Sequence, residues 1–262
     1  MTTPFAFRLD RSIVIHAEPK VVFRFFEESE RWASWWGANS TIESKPRGRV
    51  LIRHAAGMDV VGEVIEVEPP ERIVFSYGFL DRTAASAGDP RVTIALEPLG
   101  QSTRLRLTHE FNDAAARDEH VQGWRFQLSL FANVVANEVH AGVAQAVDGW
   151  FSAWSIADPV ARRDAFARVS SSDIGLRDRF SLIDGLDDLV AHTAAYQRFF
   201  PGIRFERRGD IRHCQGVVLA EWVTQADEGA ARLKGTCCFT FNTDNQIEAA
   251  INFINESEEV RK

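Results

Sequence analysis

The chain is poor in three residue types that often mark specialised proteins. It has only three cysteines, two methionines and two tyrosines among its 262 residues. An odd, sparse set of cysteines argues against a disulfide framework and is typical of a reducing compartment. Cys237 and Cys238 are adjacent, but neighbours in a strand point to opposite faces, so we expect structural thiols and not a shared metal ion.

Long basic runs and long apolar runs are also missing. The formal net charge is −7 and no basic run exceeds two residues, which argues against nucleic acid or an anionic membrane as the partner. No apolar stretch has the length of a membrane-spanning helix, and residues 1–10 lack the core of a signal peptide. We therefore expect a cytoplasmic protein with no nucleic-acid and no membrane partner.

Aromatic residues are the feature that the chain has in quantity, with seven tryptophans and nineteen phenylalanines. Such rings either build cores or line apolar pockets. The length favours two domains over one. A long amphipathic helix, predicted over Ala114–Val147 with a break or a bend near Gly142, is preceded by strand patterns and followed by a second α+β pattern. We therefore predict domains at 1–140 and 141–262.

The first domain is predicted to begin with the strand Phe5–Ala17 and a short helix that starts at Pro19 and ends near Trp32. Five further strands are predicted at Arg49–His54, Val60–Val67, Arg72–Phe79, Arg91–Leu96 and Thr103–Phe111. Short breakers separate these strands, which predicts an antiparallel meander crossed by the long helix. A curved sheet around one helix leaves a gap that an apolar guest can occupy.

This pattern resembles the SRPBCC superfamily, and within it the branch named for the C-terminal domain of the activator of Hsp90 ATPase. The motifs that carry the resemblance are Trp35-Trp36-Gly37, Pro46-Arg47-Gly48, the run Gly62–Ile73 and Gly123-Trp124. The resemblance implies an α+β helix-grip fold with a hydrophobic cavity for lipids, sterols, polyketides or aromatic compounds. The run Gly62–Ile73 is a strand–turn–strand signature and supplies no chemistry.

Several residues are expected to line that first cavity. They are Trp35, Trp36, His54, Phe75, Phe79, Trp124 and Leu128. The alternative for the tryptophans is a packed corner of the core, and for His54 and His109 it is a structural, hydrogen-bonded histidine. Co-chaperones of this branch carry a further amino-terminal domain, whereas this chain starts at the first strand of the grip, so a chaperone-binding role is the less favoured expectation.

The second domain is predicted to place helices before a long antiparallel sheet, which is typical of an α+β cone. The helices are predicted at Ala141–Ala157, Ala161–Val169 and Leu186–Phe200, and the strands at Asp173–Leu182, Ile203–Ile211, Gly216–Thr224, Ala231–Phe241 and Gln246–Ile254. The layout resembles the NTF2-like superfamily, in its SnoaL-like branch. The motifs that carry this resemblance are Trp150–Trp154, Asp173–Asp178, Asp184–Leu189 and Phe239–Asn242.

That resemblance implies either a non-enzymatic binder or an isomerase or cyclase that uses a carboxylate before the central helix as its base. Asp178 falls at this position and shares a strand face with Ile174 and Leu176, which suits a general base. The alternative is a carboxylate paired with Arg177 or Arg179 at a strand end.

The two hydrogen-bond donors that the isomerase pattern also requires are replaced by other residues in this chain. The tyrosine that donates to the oxyanion falls on Trp150 and the protonated acid falls on Cys237, so steroid isomerase activity is not expected. Trp154 and His192 are further predicted ligand contacts. No zinc-ligand spacing or phosphate loop is present, and we expect no metal and no cofactor.

The sequence therefore favours a two-domain protein that binds a small hydrophobic or aromatic molecule. An enzyme based on Asp178 and a chaperone-interaction module are the two alternatives. Val217–Val223, Thr236–Phe241 and Ile251–Ile254 carry bulky residues on both faces. Because a sheet that is apolar on both sides must be covered twice, we also expect a homodimer.

Overall fold

The computed structural model describes residues 5–54, 57, 59–79, 89–225 and 233–255. The chain divides into two compact units, Met1–Ala136 and Asn137–Lys262. Each unit packs helices against a largely antiparallel sheet, so the predicted α+β class is confirmed. The backbone of Phe79 belongs to a short strand, but its side chain lies outside the described part.

The first unit contains an eight-stranded antiparallel sheet. Its strands are β1 (Phe7–Ile15), β2 (Thr41–Ile42), β3 (Arg49–Arg53), β4 (Asp59–Glu68), β5 (Arg72–Ser76), β6 (Gly78–Phe79), β7 (Arg91–Leu99) and β8 (Ser102–Phe111). They pair in the order β1-β8-β7-β5-β4-β3-β2, with β6 also on β4. Strand β8 alternates as predicted, with Leu105, Leu107 and His109 all buried on one face.

The helices of this unit are α1 (Pro19–Phe23), a 3₁₀ turn (Arg24–Phe26), α2 (Ser29–Trp36) and α3 (Ala114–Val139). The prediction of one helix that ends near Trp32 is wrong, because the chain turns after Phe26 and a second helix carries the tryptophans. Helix α2 places Trp32, Trp35 and Trp36 on one buried side through steps of three and four. Helix α3 is capped by Asp113, whose carboxylate accepts from two backbone amides at 3.2 and 3.1 Å.

Aromatic rings form the core between α2, α3 and the sheet. The Trp32 and Trp35 ring centroids lie 5.2 Å apart, and those of Trp35 and Phe131 lie 4.7 Å apart. The Gln127 amide of α3 donates to the Trp35 carbonyl, which satisfies a backbone group in the last turn of α2. Packing and hydrogen bonding thus hold α2 on α3.

The second unit contains helices α4 (Val143–Ala153), α5 (Pro159–Val169) and α6 (Leu186–Phe199). Its strands are β9 (Ser170–Arg177), β10 (Leu182–Asp184), β11 (Arg204–Cys214), β12 (Val217–Gln225), β13 (Lys234–Phe241) and β14 (Ile247–Asn255), in the order β10-β9-β14-β13-β12-β11. Neighbouring strands are antiparallel except β14 and β9, which run parallel. The predicted break near Gly142 is present, since α3 ends at Val139 and α4 begins at Val143.

The prediction of one strand over Asp173–Leu182 is wrong. The chain turns after β9, where the Asp178 amide donates to the Ser181 carbonyl at 3.0 Å, and it returns as β10. The Asp178 carboxylate accepts from the Phe180 amide at 2.7 Å, a turn that aspartate side chains favour. Asp178 therefore lies just beyond the C-terminal end of β9.

Gly62 gives a test of how tightly the first sheet is built. A Cβ at this position would overlap the Ser76 carbonyl oxygen, so Gly62→Ala should lower the free energy of unfolding by about 1–3 kcal/mol. Gly123 on α3 has open space around it, and Gly123→Ala should raise stability by about 0.5–1 kcal/mol. Urea unfolding measures the free energy of unfolding of each variant. An equal effect of the two substitutions would contradict the close contact of Gly62 with Ser76.

Candidate functional site

The second unit encloses a cavity of about 340 Å³. Apolar and aromatic side chains dominate its wall: Trp150, Phe151, Trp154, Leu176, Phe180, Tyr196, Phe200, Phe205, Trp222, Leu233 and Ile254. Five further residues bring polar or polarisable groups: Asp178, Ser181, His192, Cys237 and Asn252. This combination of a mostly apolar wall and a few polar groups is typical of a small-molecule site.

Regular periodicity explains why these side chains meet. Trp150 and Trp154 stand one helical turn apart at the end of α4, and His192 and Tyr196 do the same on α6. On the sheet, alternate residues of β12, β13 and β14 point to the helices, and Cys237 is one of them. The cavity therefore lies between the helices of this unit and one face of its sheet.

The aromatic wall is held by ring contacts between neighbours. The Trp154 ring lies 5.5 Å from Phe205, and Phe205 lies 5.3 Å from Trp222, measured between centroids. Trp150 meets Phe166 of α5 at 5.3 Å in an edge-to-face arrangement. These contacts set the positions of the rings before any ligand arrives.

Polar groups gather at one end of the cavity. Asp178 is half-buried, and its contact with the Phe180 amide engages one carboxylate oxygen. His192 Nε2 lies 3.4 Å from the Ser181 hydroxyl, and the His192 ring stands edge-to-face on Trp154 at 6.0 Å. This end therefore offers a carboxylate, a hydroxyl and an imidazole to a bound molecule.

Two other groups keep their protons at neutral pH. Burial raises the pKa of Tyr196, and the negative charge of Asp178 raises it further. Burial also raises the pKa of Cys237, with Cys238 adding to the effect. The phenol and the thiol are thus neutral hydrogen-bond donors, and Cys237 is not set up as a thiolate nucleophile.

A second hollow of about 460 Å³ adjoins the first. The two share Asp178, Phe180, Asn252 and Ile254 in their linings, and the second adds Arg177, Arg179 and the exposed Phe253. Two arginines therefore lie beside the polar end of the cavity.

The structure brings five of the sequence-predicted site residues together around this cavity: Asp178, Trp150, Trp154, His192 and Cys237. Sequence reasoning missed Tyr196, Phe205, Trp222 and Asn252. The step of four from His192 to Tyr196 could have found the tyrosine. Phe205, Trp222 and Asn252 enter the cavity only because of the way the strands pair, and the local sequence pattern of a strand does not reveal its partner.

The remaining predicted residues lie in the core of the first unit. Trp35, Trp36, Phe75, Trp124 and Leu128 are at most 5% exposed. The ring centroids of Trp35 and Trp36 lie 4.4 Å apart, and those of Trp36 and Trp124 lie 5.6 Å apart. These side chains pack on one another, and their role as ligand contacts stays a prediction.

His54 joins this cluster at the end of β3. Its Nε2 lies 3.2 Å from the Tyr77 hydroxyl. Burial lowers the pKa of His54 and the nearby His120 lowers it further, while Asp59 opposes them. The hydrogen-bonded, structural alternative for His54 therefore has direct support.

His109 is fully buried in the same core. The Trp124 indole donates to His109 Nδ1 at 3.0 Å, so the neutral ring carries its proton on Nε2. Burial, assisted by His120, lowers the pKa of His109 to about 2. The folded state therefore holds this imidazole neutral.

Neither a metal cluster nor a spanning helix is found in the part of the chain that the structure describes. No group of three or more His, Cys, Asp or Glu residues there could hold a metal ion. No helix among the same residues combines the length and the apolar character needed to cross a membrane.

The neutral state of His109 predicts a pH dependence. Its pKa falls from an ordinary 6.5 to about 2 on folding, so its contribution is complete above about pH 6.5 and is lost as pH falls. Stability should drop by about 1.4 kcal/mol per pH unit below that point. His109→Asn, which keeps an acceptor for Trp124, should weaken this slope between about pH 6.5 and pH 5.

Amide hydrogen exchange of β7 and β8 is a suitable measurement, because it reports on the strands that hold His109. The exposed His16 provides a matched control, and His16→Asn should keep the original slope. Equal slopes in the parent and in His109→Asn would contradict the prediction.

Comparison with known proteins gives one match to a family and several to solved structures. Among curated proteins, no match to this chain was found. A SnoaL-like family protein from Agrobacterium tumefaciens is 22% identical with a TM-score of 0.41, over 45% of this chain and 99% of that one. The Aha1 dimer from Colwellia psychrerythraea is 16% identical with a TM-score of 0.40, over 47% and 92%.

A third solved structure is an Hsp90 activator from Plasmodium falciparum, 22% identical with a TM-score of 0.36, over 45% of this chain and 86% of that one. Residues 16–136 match the model of one family. Over these residues the chain is similar to the activator of Hsp90 ATPase homolog 1-like proteins.

Proposed function

We propose that the second unit binds a small, largely aromatic molecule in its cavity. The observation that carries the proposal is the wall of preformed aromatic contacts around about 340 Å³. An engineered cavity of about 150 Å³ holds benzene, so this one has room for a molecule of two to three rings. Edge-to-face contacts to Trp154, Phe205 and Trp222 would orient such a guest.

The two domains are inferred to have different fold types. We assign residues 1–140 to a helix-grip domain, supported by the family match over 16–136. We assign residues 141–262 to the NTF2-like type, supported by the three helices and the six-stranded sheet that enclose the cavity. The protein then serves as a carrier or sensor, or as an accessory to a cyclase.

Cys237 and Cys238 allow a matched test of binding. Cys237 lines the cavity, and Cys238 points to the opposite face of β13. Cys237→Phe should fill the hollow and weaken the binding of 2-ethylnaphthalene at least tenfold, whereas Cys238→Phe should leave it unchanged. Tryptophan fluorescence and calorimetry measure the affinity.

Folding of both variants is checked by their thermal unfolding. If Cys237→Phe does not fold, the smaller Cys237→Leu takes its place. Equal affinity in the Cys237 and Cys238 variants, or no binding by the parent protein, would remove the proposal.

A second candidate function is proton abstraction by Asp178. Asp178 lines the cavity at its polar end, and only one of its carboxylate oxygens is engaged by the Phe180 amide. The other oxygen can reach a ligand that sits among the rings. A carboxylate in this position suits a general base for an acidic C–H bond.

Hydrogen–deuterium exchange at the α-carbons of 2-tetralone tests this function. The parent protein should accelerate the exchange, and Asp178→Asn should reduce the acceleration by about 10²-fold or more. Binding of the ketone should persist in the variant, because the rings remain. If the parent protein leaves the exchange at its uncatalysed rate, the proposal that Asp178 is a general base is wrong.

Two further expectations remain proposals. Val217, Ile251 and Phe253 expose 39, 40 and 57% of their surface on the outer face of the second sheet, which supports the predicted homodimer. A role with a chaperone is supported by the family match of residues 16–136 alone.

A further inference from the structure

Three side chains bring polar or polarisable groups to the floor of the cavity. Cys237 of β13 pairs directly with Asn252 of β14. On the other side, Ile251 pairs with Arg177, the last residue of β9, and Asp178 follows in the turn that leaves this strand. Because alternate residues of a strand share a face, Asn252 turns toward the cavity together with its partner Cys237. Asp178, in the turn after β9, lines the same cavity.

Trp222 determines which way the Asn252 amide points. Its indole nitrogen lies 2.7 Å from Asn252 Oδ1. An indole N–H only donates, so the amide oxygen must be the atom that accepts. The amide nitrogen is then directed away from Trp222 with both of its hydrogens, and no hydrogen bond from it is found among the residues that the structure describes.

The local backbone holds Trp222 in this position. Gly235 pairs with Trp222 across β12 and β13, and a Cβ at Gly235 would overlap the indole ring. The ring therefore lies over the backbone of the neighbouring strand, where Phe205 covers it at 5.3 Å. The orientation of the Asn252 amide is thus built into the sheet before a ligand binds.

The floor consequently offers donors at its centre. The Asn252 amide supplies two N–H groups, and the buried Cys237 supplies a weak S–H donor beside them. Both can bond an oxygen that only accepts. Asp178 lines this cavity, whereas Arg177 and Arg179 line only the second hollow. The charge beside the donors is therefore a carboxylate that would repel an anion, which favours a neutral oxygen.

We infer that the floor of this cavity recognises the carbonyl oxygen of an aromatic ketone, through the Asn252 amide that Trp222 orients. The inference rests on the proposed function, since it requires that aromatic molecules enter the cavity. It names the class of ligand: a neutral, ring-containing carbonyl compound. A hydrocarbon of the same shape would leave the Asn252 donors without an acceptor.

The test compares 1-tetralone with tetralin, which share a ring frame and differ by the carbonyl oxygen. Calorimetry gives the dissociation constant of each for the parent protein and for Asn252→Leu. The ratio of the tetralin constant to the tetralone constant should fall by about tenfold in the variant, as expected for the loss of one hydrogen bond. Differences in the solubility of the two ligands cancel in this comparison.

Asn255→Leu is the matched control, because Asn255 lies on the same strand with its side chain on the outer face. It should keep the ratio of the parent protein. If Asn252→Leu does not fold, Asn252→Asp at pH 8 replaces it, since the carboxylate still accepts from Trp222 but has no hydrogen to donate. It too should lower the ratio.

The outcomes separate the two proposals. Failure of the parent protein to bind either compound would overturn the proposed function, and the inference with it. Binding of both compounds with the same ratio in the parent protein and in the Asn252 variant would overturn the inference alone.

Discussion

The alternation of side chains across the second sheet is the constraint on which the candidate site depends. Each strand turns one set of residues to the helices and the other set outward. Cys237 therefore enters the cavity while Cys238 lies on the opposite face. The same rule places Asn252 beside Cys237, and the turn after β9 adds the carboxylate of Asp178 to the same lining. A shift of register by one residue would remove Asn252 and Cys237 from the cavity.

Both units are rich in aromatic rings, but the rings fill the core of the first unit and line a cavity in the second. In the first unit Trp35 packs against Trp36 and Phe131 at 4.4 and 4.7 Å, which holds two helices together. In the second unit Trp154, Phe205 and Trp222 stand around a hollow of about 340 Å³. Contacts between neighbouring rings of the wall hold these side chains in place around the hollow.

Local sequence patterns predicted most elements but failed at three breaks, one of which divides the predicted strand Arg72–Phe79 into β5 and β6. Periodicity in steps of three and four located α3 and the break before α4, and alternation located the main strands. The pattern could not separate α1 from α2, because apolar residues continue through the turn at Arg24–Phe26. Nor could it end β9 at Arg177, since the turn there is made by hydrogen bonds of Asp178 with Phe180 and Ser181.

The sequence by itself determined the fold class, the helix capped by Asp113, and the alternation that turns Cys237 and Cys238 apart. These features depend on neighbours in the chain, whose periodicity is visible in one dimension. Only the tertiary structure decided that Asp178 and Asn252 line one cavity and that Trp222 orients the amide. Those contacts join strands that are distant in sequence, and the choice of partner strands is made by packing of the whole unit and not by any single segment.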